Sequence, residues 1–169
     1  METLLIIDDK DYSEDMEEIR RTCVRGIIFK EDKLLLIESG LGELKLPGGG
    51  IEDGEDDLQA LMREVKEETG YDVIPDSARP FGQVEEKRLS KREPMIWHQT
   101  SRLYFCDVGP VKGQCCYTEK EKKHEFKTVF YPIEEAVEKA ENVMEKEGVH
   151  IWSRREYKTL LLIRDHIKG

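Results

Sequence analysis

The chain has 169 residues, a length that favours one domain with a real hydrophobic core. Its 27 Lys and Arg against 37 Asp and Glu leave a net charge of −10. That balance argues against tracking a nucleic-acid polymer or an anionic membrane, both of which need a basic surface, but it leaves room for a phosphorylated small molecule held through a divalent cation.

The N-terminal stretch "METLLIIDDK" is a short apolar run bounded by acids. It lacks the basic start and longer apolar core of a secretory signal, and no run approaches a membrane span. Cys23, Cys106, Cys115 and Cys116 show neither a CxxC pair nor zinc-like spacing with the histidines. Reduced thiols and a cytoplasmic location are therefore expected. "LLII" (4–7) reads as an edge strand, and 8–18 as a polar loop or solvated turn.

"TCVRGIIF" (22–29), the turn "KEDK" and "LLLI" (34–37) read as a β-hairpin. "SGLGE" is a second turn, and "LKL" (44–46) a short strand entering three glycines. Residues 55–69 read as a helix: Leu58, Leu61, Met62 and Val65 recur at i, i+3, i+4 and i+7. Asp56 and Asp57 lie in its first turn, where negative charge suits the helix dipole, and Gly70 is placed to end it. "YDVI" (71–74), 81–88 and 95–108 read as strands, the last two pairing across the loop 89–94. A charged loop (112–125) precedes the strand "KTVFY" (127–131). Helices are expected at 133–146, with Pro132 and Gly148 at its ends, and at 152–167, with Leu160, Ile163 and Ile167 on one face. Strands mixed with helices point to an α/β or α+β layered domain.

The chemistry concentrates in "PGGGIEDGEDDLQALMREVKEETG" (47–70). At about 100° per residue, Glu64, Glu67 and Glu68 share an arc beside the apolar stripe. Like charges so spaced weaken a helix by roughly 0.2–0.5 kcal/mol per pair, a cost that a hard divalent cation offsets. Taken alone, the acids also fit a solvated helix face. The glycines before them permit close backbone approach, so a carbonyl can turn toward an ion or amides toward a phosphate. The segment lacks the Gly-Lys-Ser/Thr ending of a P-loop and the ligand spacing of an EF-hand.

The stretch resembles the Nudix box, G-x5-E-x7-R-E-U-x-E-E-x-G-U, with U a bulky apolar residue. Gly49, Glu55, Arg63, Glu64, Val65, Glu67, Glu68 and Gly70 fall in register, and Tyr71 takes the final U position, where an aliphatic residue is more usual. "ELKLPGGGIEDGE" and "HEFKTVFYPIEEA" resemble the flanking family segments. The resemblance implies an α/β/α sandwich with a mixed sheet, formed as one domain over 1–169. Residues 1–20 would be an N-terminal extension and 148–169 a C-terminal helix. It implies that Glu64, Glu67, Glu68 and the Gly49 carbonyl hold Mg²⁺ or Mn²⁺, that Glu64 helps activate the attacking water, and that Arg63 and Glu55 pair to brace that face. The implied reaction is hydrolysis of a diphosphate in a nucleoside diphosphate linked to another group, such as a nucleotide sugar, ADP-ribose or a (d)NTP. The charge of a diphosphate repels an attacking oxygen, and a divalent ion neutralises it. A nucleotide-binding module without catalysis is the alternative.

Some family members recruit a further glutamate from a late loop, where Glu119, Glu121 and Glu125 lie here. Trp97, Phe81 and Tyr104 could stack on a base, though such aromatics are more often core residues. The family's ADP-ribose hydrolases often carry a proline about fifteen residues past the box; position 86 is Glu86. A homodimer contact through segment 1–20 is a further expectation.

Overall fold

The computed structural model describes the whole chain, Met1–Gly169. Its strands are β1 (Thr3–Asp8), β2 (Glu18–Ile27), β3 (Phe29–Lys30), β4 (Lys33–Glu38), β5 (Leu44–Lys45), β6 (Gly48–Gly50), β7 (Arg79–Leu89), β8 (Ile96–Phe105) and β9 (Lys127–Tyr131). Its helices are α1 (Asp57–Thr69), α2 (Glu119–Lys123), α3 (Ile133–Val143) and α4 (Trp152–Lys168). None is long and apolar enough to cross a membrane.

A mixed five-stranded sheet runs in the order β1-β7-β8-β2-β6, and β4 joins β3, β5 and β9 in a second, antiparallel sheet. The edge strand at 4–7 is present as β1, parallel to β7. The antiparallel pairing of β7 with β8 is also as expected. The expected hairpin is present only at its tip: β2 begins earlier and pairs with β8 and β6, while Ile28 and the two residues of β3 turn back on β4. That turn is tight because Glu31 and Asp32 both take positive φ, 49° and 61°, as a two-residue hairpin loop requires. Residues 71–74 contribute one isolated bridge, Val73 to Val108, rather than a strand.

Alternation along the strands divides the core in two. Leu34, Leu36, Leu44, Leu46, Ile27 and Leu103 pack with Ala136, Val137, Ala140, Leu160 and Ile163 of α3 and α4. On the other side, Val24, Ile28 and Leu35 pack with Ala60, Leu61 and Val65 of α1. Helices thus cover both sides of the strands, an α/β/α sandwich.

Helix α1 starts at a capping box: Asp56 accepts from the Gln59 N–H, and the Gln59 side chain accepts from the Asp56 N–H. It ends at Gly70 in the left-handed conformation, φ 77°. Its buried face differs from the sequence stripe. Met62 is exposed, whereas Leu61, Val65 and Glu68 lie inward at i, i+4 and i+7. Burying Leu61 and Val65 contributes about 1.5–3 kcal/mol each, which helps hold a carboxylate one turn further along inside.

Candidate active site

The site forms where β6 meets α1. The glycines are not a free loop but a strand paired with β2. Gly48 has φ of 141°, and a Cβ there would lie 2.0 Å from the Val24 carbonyl oxygen. Only glycine allows that approach. Gly49 is constrained differently: a Cβ would fall 2.5 Å from the Glu64 carboxylate, so the Gly49 backbone and the Glu64 head group touch. The contrast yields a prediction. Gly48→Ala meets backbone and should lose about 1–3 kcal/mol from conformation alone, seen as a lower urea midpoint. Gly49→Ala meets a side-chain end that can move, so it should stay folded while displacing Glu64 and losing activity.

Arg63 joins the loop to the helix. Its Nε and Nη2 donate to the two oxygens of Glu55, Nη2 also to the Gly50 carbonyl at 3.0 Å, and Nη1 to Glu64 at 2.8 Å. Glu67 lies 3.5 Å from the same Nη1. The planar guanidinium fork suits this multidentate role where a lysine would not. The Arg63 hydrogen bonds, helped by the Glu52 N–H, pull the Glu55 carboxyl down to about 2. A carboxyl lowered from the ordinary value of 4.5 contributes stability that is complete above pH 4.5 and fades as pH falls toward 2. Urea midpoints of the wild type and Glu55→Gln should therefore differ most at neutral pH and converge below pH 4; a gap constant down to pH 2 would contradict the pairing.

Glu68 is the deeply buried member, 2% exposed. Its Oε2 accepts the Gly48 N–H at 2.8 Å and its Oε1 the Lys45 ammonium at 2.6 Å. Burial pushes its carboxyl up, opposed by the charges of Lys45 and Arg25 and by the Gly48 N–H. Arg25 itself donates to the carbonyls of Gly48, at 2.6 Å, and Leu46. The Leu46 N–H in turn donates to Glu156 of α4, whose carboxylate also pairs with Arg155, and Arg155 pairs with Glu86 of β7. A buried ionic network thus ties the glycine strand to the C-terminal helix.

The structure brings Gly49, Glu55, Arg63 and Glu64 into one contact set, with Glu67 at its edge, and places Glu68 against Gly48. The three box glutamates are not gathered around one point: Glu64 and Glu67 lean on Arg63, and Glu68 on Lys45. The donor set still fits a hard divalent cation. It consists of carboxylate oxygens beside a glycine backbone that no Cβ obstructs.

The late-loop glutamates go elsewhere. Glu119 pairs with Lys122, Glu121 closes the capping box of α2 with Thr118, and Glu125 packs against Gly40. The three aromatics are not brought together: Phe81 contacts Phe105 and His166, Tyr104 bonds Asp57, and Trp97 sits beside Arg88. All four cysteines are free. Sequence reading missed Lys45, Arg25 and Glu156. Only Lys45 left a local signal: in "LKL" the two leucines face the α3–α4 core, so the lysine between them must face α1.

The family model of the NUDIX domain matches residues 19–153. The chain belongs to the Nudix family. Among curated relatives, it is 49% identical over 108 residues to a Methanocaldococcus jannaschii protein named ADP-ribose pyrophosphatase, covering 62% of this chain and 59% of that one. It is 48% identical over 53 residues to Nudix hydrolase 25 of Arabidopsis thaliana, covering 30% of each chain. Three of the curated relatives are matched over only 43% to 65% of their own length. In fold, the chain is similar to a solved ADP compounds hydrolase, with TM-score 0.58 and 21% identity over 88% of this chain and 74% of that one. It is also similar to the MutT NUDIX hydrolase of Burkholderia pseudomallei, with TM-score 0.57 and 17% identity over 83% of this chain and 97% of that one. Both likenesses concern the sandwich itself.

Proposed function

We propose that this chain hydrolyses the diphosphate bond of a nucleoside diphosphate derivative at the junction of β6 and α1, in a reaction that needs a divalent cation. The observation that carries this reading is Arg63, whose guanidinium holds Glu55, the Gly50 carbonyl and Glu64 at once. Glu64, Glu67, Glu68 and the Gly49 carbonyl would hold the ion, and either Mg²⁺ or Mn²⁺ suits these oxygen donors. A bound ion supplies charge neutralisation for the diphosphate and acidifies water. Glu64 has one oxygen engaged by Arg63, which leaves the other to orient the attacking water and accept its proton. Arg63 and Glu55 act through Glu64 and Glu67 by fixing the helix face against the strand. The chain works as one domain, with segment 1–20 contributing β1 and the start of β2 to its sheet.

The relative named ADP-ribose pyrophosphatase makes ADP-ribose the first substrate to test. Position 86, where the family's ADP-ribose hydrolases often carry proline, holds Glu86 paired with Arg155, so the substrate panel must include the other classes. The test is a panel of ADP-ribose, nucleotide sugars, dinucleoside polyphosphates and (d)NTPs with product identification. ADP-ribose should yield AMP and ribose 5-phosphate. Cleavage of another member in preference would move the substrate class, and tight binding of a nucleotide without cleavage of any would favour the non-catalytic reading.

A further inference from the structure

Lys45 and Glu68 form a pair unlike the others at this site. Glu64 and Glu67 share one guanidinium near solvent, with side chains 16% and 43% exposed. The Lys45 and Glu68 side chains are 13% and 3% exposed and lean on each other at 2.6 Å. Of the two Glu68 oxygens, Oε2 is engaged by the backbone of Gly48, and Oε1 receives the ammonium. A divalent ion held by Glu68 competes with the ammonium for the same carboxylate, and the two cations repel strongly in a site so poorly screened. The lysine has somewhere else to go. Its head lies at the end of a flexible four-carbon stem, 4.9 Å from the centre of the Phe126 ring, a face that can hold an ammonium.

We propose that Lys45 is the internal counter-ion of Glu68 when no divalent cation is bound, and that it is displaced onto the Phe126 side when one binds. Lys45 thereby sets the affinity for metal. This rests on the reading of Glu68 as a metal ligand. The pair keeps a buried carboxylate from standing alone, which would otherwise be strongly destabilising. The same contact weakens metal binding, because the ion must first displace a bonded ammonium.

The experiment is a Mn²⁺ titration of the full chain without nucleotide, followed by calorimetry or by loss of the free-ion paramagnetic signal. Lys45→Met should bind Mn²⁺ about ten- to a hundredfold more tightly than the wild type, since the ion now relieves an unpaired buried charge. Lys45→Arg, which keeps the charge, should stay close to the wild type. Mg²⁺ should also raise the melting temperature of Lys45→Met more than that of the wild type. If Lys45→Met is too unstable to titrate, recovery of its folded signal by Mg²⁺ supports the proposal, and no recovery overturns it. Unchanged or weaker Mn²⁺ binding by Lys45→Met, with Glu68→Gln still weakening the wild-type site, overturns the proposal: Lys45 is then a brace and the metal reading survives. If Glu68→Gln leaves Mn²⁺ affinity unchanged, the metal reading of Glu68 fails and the proposal with it.

Discussion

Glu64→Gln should leave the chain folded and reduce turnover by about 10²–10⁴-fold, the range that a positioned base or water-activating group contributes. The fold should survive because a glutamine oxygen can still accept from Arg63 Nη1, and the Gly49 backbone meets a head group of the same size. What disappears is the negative charge and the ability to take a proton. A urea titration alongside the kinetics separates the two effects. A variant with normal turnover would remove Glu64 from the chemistry, and a variant that unfolds would make it a structural residue.

Arg155→Met should cost about 3–5 kcal/mol of folding stability, the penalty for stranding buried charge. Glu86 and Glu156 would lose their shared partner, and these side chains are only 1% and 4% exposed. A domain of this kind has about 5–15 kcal/mol in total, so the variant should be near its limit at physiological temperature. The loss should also reach the site, because Glu156 accepts the Leu46 N–H just before the glycine strand. Activity of the surviving folded fraction should therefore fall as well, though far less than in Glu64→Gln. Denaturant unfolding within about 1 kcal/mol of the wild type would mean that the network is not maintained as buried charge.

Local signals carried the parts of this protein that one element can encode. Helix α1 has its stop in Gly70 and its register in the box; its start reads at 55 in the sequence, two residues before Asp57, where the capping box of Asp56 and Gln59 sets it. The pairing of Arg63 with Glu55 spans eight residues and was implied by the resemblance of the box. What failed depends on distant partners. Nothing in 22–27 says that its neighbours are β8 and β6 rather than β4, since an apolar run fits any of them. The three glycines read as a strand-to-helix turn, yet they form a strand, where Gly48 is held against the Val24 carbonyl of β2 and Gly49 against the Glu64 carboxylate. The helix spacing puts Glu68 on the same arc as Glu64 and Glu67, beside the apolar stripe, and does not separate it from them as the buried one. Its place on the buried face follows from Lys45 and Gly48, which lie 23 and 20 positions away. The partners Glu86 and Arg155 are 69 positions apart, and no periodicity reports such a pair.

The most direct measurement of the central claim is cleavage of ADP-ribose in oxygen-18 water, followed by mass spectrometry with Mg²⁺ or Mn²⁺ and then with excess EDTA. The proposed chemistry predicts two phosphate-bearing products, one labelled oxygen per cleavage event, abolition by EDTA and restoration by added metal. Cleavage that survives EDTA, or cleavage without incorporation of solvent oxygen, would contradict it.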